Sequence, residues 1–346
     1  MKPATHILGI DIAKDKFDVH LRTLAASELA LAAVFANNRN GFQQLQRWLT
    51  QKASCANHQL HACMESTSTY GDALAEFLHA QHYLVSMVNP RRTRNYGNSQ
   101  LTRNVNDTID ARVIADFCAA QRDKLLLWEP LSPEHSQLRD LTRARQALVD
   151  DRDRFGNMLE TATGLARKTF LKQVRQLERQ IKQLEKAIKQ FVVLFPELHK
   201  QIELADSIPA VGFVTAATVL AELPPIKKIP QARQAVALFG LDPIRKTSGK
   251  CVDTPARLSR MGSRRGRRAL YMPALVALRF NPIVRDLGQR LQAQGHTGKY
   301  VVVAAMRKLL RLIYGVVKQG QPFDPKWPGA KSMPGQPTQT ITTLTL

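Results

Sequence analysis

Apolar and polar positions change their rhythm three times along the chain, and each change marks a boundary. In the first third, short apolar runs at Ile7 to Ile12 and Lys16 to Leu21 flank a polar interval and predict a β-hairpin. Gly41 to Thr50 has the spacing of an amphipathic helix, His58 to Met64 of a strand, Gly71 to Ala80 of a helix and Tyr83 to Val88 of another strand. A hairpin followed by alternating elements predicts an α/β sheet domain ending near residue 130.

From Pro133 to Pro196 no strand-like segment remains. Phe170, Val174, Leu177, Ile181, Leu184, Ile188 and Phe191 recur at alternating spacings of four and three, with Lys, Arg, Gln and Glu between them. This is a heptad seam, which suits a coiled coil between subunits and an intramolecular helical hairpin equally well. After Pro196, Ser207 to Leu223 offers a Pro-x-x-Gly turn before an apolar helix, the pattern of a helix-hairpin-helix and also of an ordinary tight loop before a core helix. Helices are predicted over Ala269 to Phe280 and Tyr300 to Val317, and the Pro, Gly, Gln and Thr beyond Gly320 predict a poorly ordered tail. The organisation expected is 1–132, an α/β domain; 133–200, a helical spacer; 201–320, a mostly α-helical domain; and 321–346, the tail.

Charge narrows the function classes. The 346 residues hold 50 Lys+Arg against 28 Asp+Glu, a formal net charge of +22, which calls for a polyanionic partner. Nucleic acid is favoured over a membrane because no apolar run reaches about 18 residues. Four scattered cysteines, Cys55, Cys63, Cys118 and Cys251, lack Cys-x-x-Cys spacing and read as reduced thiols, and no signal peptide is evident, so a cytoplasmic protein is expected. The basic cluster Arg257-Leu-Ser-Arg-Met-Gly-Ser-Arg-Arg-Gly-Arg-Arg268 contains six arginines and no acid, which suits phosphate, with Arg257, Arg260, Arg264, Arg265, Arg267 and Arg268 as candidate contacts. Arg91, Arg92, Arg94 and Arg103 form a second basic segment, in which Tyr96 either stacks on a base or is a partly buried surface tyrosine.

The candidate chemistry is acidic. Asp11 closes one strand, Glu65 closes another, and Asp107 and Asp110 share one face of a helix's first turn. Each has an ordinary alternative: a turn cap, an arginine partner, a helix N-cap or a favourable dipole contact. Together they match a ribonuclease-H-like metal nuclease, in which carboxylates hold Mg²⁺ or Mn²⁺, two ions in all, against phosphate.

Collinear motifs add a family resemblance. Gly9-Ile-Asp-Ile-Ala-Lys14, Met64-Glu-Ser-Thr-Ser-Thr-Tyr70, Val88-Asn-Pro90, Asn106-Asp-Thr-Ile-Asp-Ala-Arg112, Ser207-Ile-Pro-Ala-Val-Gly212, Phe239-Gly-Leu-Asp-Pro243 and Arg267-Arg-Ala-Leu-Tyr-Met-Pro273 resemble the DEDD transposases of bacterial insertion sequences, the insertion-sequence one-ten family and its Piv-like invertase relatives. The resemblance implies a RuvC-like N-terminal domain, a coiled-coil spacer and a C-terminal transposase domain with a nucleophilic serine. That serine maps to Ser248, which the residues alone would place in a turn, with Arg245, Lys246 and Lys250 beside it; Ser259 and Ser263 are fallbacks. The resemblance further implies strand exchange through a phosphoserine link to double-stranded DNA at element ends and target, guidance by a noncoding bridge RNA, a dimer or tetramer, and a nucleoid location in a bacterium. Where the family often carries glycine, this chain has Ala210. Two rivals remain at this point: a hydrolytic junction resolvase using the same acids, and a non-catalytic nucleic-acid-binding protein.

Overall fold

The computed structural model describes residues 4–24, 30–53, 55–65, 69–100, 107–244, 247–248, 252–253 and 257–326. The chain divides between Pro130 and Leu131 into two compact units.

Unit 1 is a five-stranded mixed sheet with helices on both faces. Its strands are β1 (His6–Ile12), β2 (Lys16–Thr23) and β3 (Ala30–Ala36). Helix α1 (Arg39–Lys52) leads to β4 (Leu60–Glu65), α2 (Asp72–Ala80), β5 (Leu84–Val88), α3 (Pro90–Ser99) and α4 (Asp107–Gln121). The order across the sheet is β3-β2-β1-β4-β5; β1, β2 and β3 run antiparallel, whereas β4 runs parallel to β1 and β5 parallel to β4. Side chains alternate between the faces. Leu8, Ile10, Phe17, Val19, Ala62 and Met64 pack against α1 and α2, while Ile7, Cys63 and Val88 pack against α4.

Two elements of this unit are absent from the sequence reading. Strand β3, Ala-Leu-Ala-Ala-Val-Phe-Ala, alternates exposed and half-buried positions, but its exposed positions carry alanine and valine, so no polar residue marks the period. Helix α3 is polar and has the Asn89-Pro90 start signal: Asn89 Oδ1 accepts from the Arg91 amide at 2.9 Å, and Pro90 stands in the first turn.

Unit 2 is mostly helical. Helices α5 (Pro133–Thr161) and α6 (Gly164–Val193) form a hairpin, tied by an Arg145–Glu185 ion pair at 2.7 Å. The seam residues Leu177, Ile181 and Ile188 are buried within the chain, and the Phe155 and Phe170 rings meet at 5.8 Å. At the base of the hairpin Leu138, Ile188 and Val192 join one core with α7 (Pro196–Asp206), α8 (Phe213–Glu222) and α9 (Ala232–Leu238). Short strands β6 (Pro243–Ile244), β7 (Thr247–Ser248), β8 (Val252–Asp253) and β9 (Arg257–Leu258) follow. Helices α10 (Arg264–Phe280), α11 (Pro282–Ala293) and α12 (Gly298–Gln319) complete the unit. The predicted tail lies outside the described residues from 327 onward. No described helix is long and apolar enough to cross a membrane.

The turn between α7 and α8 holds Ala210 at φ +81°, a left-handed conformation that glycine adopts freely and alanine does not. Asn281, fully buried, clamps that turn by donating to the Pro209 carbonyl at 3.3 Å while capping α11. Ala210→Gly is therefore expected to stabilise unit 2 by about 1 kcal/mol. A chemical-denaturation midpoint that fails to rise would show that the turn does not hold this backbone in solution.

Candidate active site

The acids of unit 1 gather at one end of the α4 face. In β1 every second residue, Ile7, Gly9 and Asp11, faces α4; in β4 His61, Cys63 and Glu65 do so. The parallel register pairs Ile10 with Met64, so Asp11 and Glu65 stand one residue beyond it, side by side on adjacent strands. Helix α4 runs opposite to β1. Asp116 bonds to Arg22, which stands across from Ile7, and Ala111 and Ala115 close over Gly9. One more turn toward the helix start brings Asp110 and the backbone of Asp107 to the Asp11 end. The Asp107 side chain lies outside the described residues. Among the described residues, no group of three or more His, Cys, Asp or Glu forms a site that could hold a metal ion.

A further acid joins this row. Asp18 stands directly opposite Asp11 in the β1–β2 ladder, so the two share a face. It is 5% exposed and pairs with Lys16 at 3.2 Å. The signal was present in the sequence, since Asp11 and Asp18 are equidistant from the hairpin turn, but only the register makes them neighbours. Thr93, buried on α3, is a second residue the sequence reading missed: its hydroxyl donates to the Glu65 carboxylate, which fixes that group from the side of β5.

Behind the acids lies a layer of buried thiols. Cys63 and Cys118 hydrogen-bond to each other; this contact and burial push the Cys63 thiol well up. The same contact, helped by His61, pulls Cys118 down to about 6. Cys55, Cys63 and Cys118 are all free. His61 Nε2 meets Ser86 Oγ at 2.8 Å, and Ser86 donates to the Leu126 carbonyl at 2.9 Å, so the polar groups of this layer are partnered inside the unit.

The first basic segment is built into α3. Arg92 lies over the Phe117 ring at 5.2 Å, and Tyr96 packs edge-on against the same ring at 5.8 Å, which places Tyr96 as a half-buried tyrosine. Arg91 and Arg94 are exposed, and Arg103 lies outside the described residues.

In unit 2, Ser248 pairs with Val252 at the end of the β7–β8 ladder. Its side chain, those of Arg245, Lys246, Lys250 and Arg257, and any contacts they make lie outside the described residues. The basic cluster spans β9 and the first turn of α10, which begins at Arg264. Ser263 caps α10 by accepting from the Gly266 amide at 3.0 Å, and it donates to Glu222 at 2.8 Å. That engagement removes Ser263 as a free hydroxyl. Burial alone would raise the Glu222 carboxyl, but Arg143 at 2.8 Å, the Ser263 hydroxyl and Arg265 hold it below its ordinary value. Arg267 donates to the carbonyls of Phe239 at 2.8 Å and Gly262 at 3.0 Å, and Arg268 pairs with Asp150 at 2.6 Å. Arg260, Arg264 and Arg265 are exposed. The Ser259 hydroxyl accepts from the Met261 amide at 3.3 Å.

Comparison with known proteins agrees along the chain. Residues 8–165 match a transposase model of the IS110 DEDD type, and residues 202–289 match the model described as transposase IS116/IS110/IS902 family. The chain is similar to the pilin gene-inverting protein of Moraxella bovis, 30% identical over 92% of this chain and 97% of that protein. It is also similar to the transposase for insertion sequence element IS1328 of Yersinia enterocolitica, 25% identical over 93% of this chain and 99% of that one.

Proposed function

The chain belongs to the IS110-type family of transposases, and on that premise we propose that it breaks and rejoins DNA strands of an insertion sequence through a covalent phosphoserine made by Ser248. The observation that carries the reading is the placement of Asp11, Glu65 and Asp110 at one end of one sheet face. We read unit 1 as a ribonuclease-H-like, RuvC-type domain. The strand order β3-β2-β1-β4-β5, with an antiparallel hairpin followed by two parallel strands, supports that reading.

Carboxylate oxygens are the donor type that a hard divalent cation takes, which supports a metal reading that needs Asp107 as well as the described acids. Asp11, Glu65, Asp107 and Asp110 would hold Mg²⁺ or Mn²⁺, two ions in the full site, through carboxylate oxygens. Asp18, across the ladder from Asp11, already has Lys16 as its cation at 3.2 Å and is not counted among these donors. When bound, such ions polarise the scissile phosphate and lower the pKa of an attacking hydroxyl. The chain's own groups do the rest. Ser248 Oγ attacks phosphorus, the Oγ–P bond forms as the sugar P–O bond breaks, and the serine proton ends on the departing sugar oxygen. Arg245, Lys246, Lys250 and Arg260 neutralise charge that develops on the phosphate. Because the phosphoester is conserved, the reverse attack by another strand's hydroxyl reseals DNA without ATP.

Sequence choice in this proposal rests on a noncoding bridge RNA that pairs with DNA, while the basic protein grips backbones. The assembly is a dimer or tetramer in which one subunit's acids work with another's serine. An adduct assay tests these points: protein, Mg²⁺, labelled element-end DNA and the flanking transcript are resolved under denaturing conditions. A labelled protein band is expected that Ser248→Ala and Asp11→Ala each remove, that needs the transcript, and that mixing the two variants partly restores. Free nicked DNA persisting in Ser248→Ala would hand the case to a hydrolytic resolvase, and no cleavage of any DNA by the wild type would leave a binding protein.

A further inference from the structure

Helix α6 carries two stripes on opposite faces. One is the apolar seam buried against α5. The other is Lys168, Lys172, Arg175, Arg179, Lys182, Lys186 and Lys189, again alternating four and three, and every member is exposed. Each member precedes a seam residue by two positions, which is about 160° around a helix. The seven fall within an arc of roughly 100° and extend over about 30 Å.

An ordinary solvated helix face interleaves acids and bases at these spacings, because like charges three or four residues apart repel. Here six successive steps are cation to cation. Helix α6 holds eight Lys and Arg but only two acids, and one of these, Glu185, is taken by Arg145 on the seam side. The neighbouring helix behaves differently: on α5, Asp150, Asp151 and Asp153 pair with Arg268, Arg154 and Arg152. Along one edge of the basic stripe run Gln176, Gln183 and Gln190, neutral donors seven residues apart. At its far end the Lys189 ammonium lies over the Phe213 ring at 5.7 Å.

We propose that the outer face of α6 is a docking track for the phosphate backbone of double-stranded DNA. Lysine and arginine at steps of roughly 4.5–6 Å suit a phosphate row, and a length of about 30 Å is close to one duplex turn. A single strand would call for a row of aromatic platforms beside the cations; here one half-buried ring, Phe213, lies under Lys189 at the end of the stripe, and Phe170 faces Phe155 in the seam. The track consists of cations and neutral amides alone, so it binds duplex without regard to sequence. The inference rests on the reading that this chain acts on DNA.

The test is binding of a labelled random-sequence duplex to the full chain, followed by fluorescence anisotropy across a salt series. The comparison variant is Lys172→Gln/Arg175→Gln/Arg179→Gln/Lys182→Gln, since glutamine keeps the helix propensity of the residues it replaces. A conservative variant exchanges Lys for Arg and Arg for Lys at the same four positions. The glutamine variant is expected to lose affinity tenfold or more near 0.1 M salt, with its salt slope reduced by about three to four, because four phosphate contacts are lost. The conservative variant is expected to keep both. An unchanged slope in the glutamine variant, loss of binding in both variants alike, or a loss confined to duplex RNA or to an acidic peptide would overturn the proposal. Asp11→Asn is run in parallel: track-dependent binding should survive in it, so failure of the catalytic reading and failure of the track give different patterns.

Discussion

A Gly9→Ala protein is expected to lose both strand cleavage and a large part of its stability. Gly9 lies on β1 where α4 crosses the sheet, and a Cβ there would stand 2.1 Å from the Ala111 carbonyl oxygen, 2.4 Å from the Ala115 nitrogen and 2.8 Å from the Ala115 Cβ. Two of these three are backbone atoms, which no rotamer change can move aside. Relief requires lifting α4 from the sheet, at about 3 kcal/mol or more for an overpacked core contact. The same lift carries Asp107 and Asp110 away from Asp11 and Glu65, and a misplacement of about 1 Å at a reacting centre costs on the order of 100-fold in rate. Gly156→Ala is the control. That position lies in α5 with nothing within 4 Å of a new Cβ, so it should gain about 0.5–1 kcal/mol. Melting curves of both variants, read with the adduct assay, decide the matter. A Gly9→Ala protein with wild-type melting and activity would mean that α4 does not pack on β1 as described.

Replacing Asp11 by asparagine should separate catalysis from folding in the opposite direction. The change removes one charge from a crowded row, since Asp18 lies directly across the ladder and Glu65 stands on the next strand. Asparagine keeps the size and hydrogen-bonding capacity of the side chain, so the fold and DNA binding are expected to be retained. Cleavage should fall by about 1,000-fold, equivalent to roughly 4 kcal/mol of transition-state stabilisation. A second readout does not depend on turnover. Adding Mn²⁺ or Mg²⁺ should raise the melting temperature of the wild type but not of Asp11→Asn, because an ion that binds only the folded state stabilises it. Lowered melting with cleavage retained would make Asp11 a structural residue.

The strands that carry Asp11 and Glu65 were legible because apolar runs bounded by polar residues identify strands whatever surrounds them. The Asp-x-x-Asp helix was legible because helical spacing alone puts both positions on one face. The seam of α6 was legible for the same reason, but whether its partner lay in the same chain was not, because a heptad records what must be buried and not what buries it. Strand β3 leaves no polar mark on its exposed side, and the sequence predicts α10 only from Ala269 because its first turn, Arg264 to Arg268, reads as a charge run. Its true start depends on Ser263 and on the carbonyl of Phe239, distant in sequence, which receives Arg267 together with the nearby Gly262 carbonyl.

The sequence by itself therefore determined most of the longer elements and the polyanionic partner, and it supplied the acids that the proposed function uses, since composition and periodicity are local properties. Only the tertiary structure decided that Asp18 joins Asp11, that Thr93 fixes Glu65, and that Arg267 and Arg268 of the arginine cluster are occupied within the fold. It also decided that the cationic face of α6 stays open, because the seam opposite it is covered by α5. Strand register, helix docking and the pairing of distant side chains are set by packing across the whole chain, and no local pattern contains them.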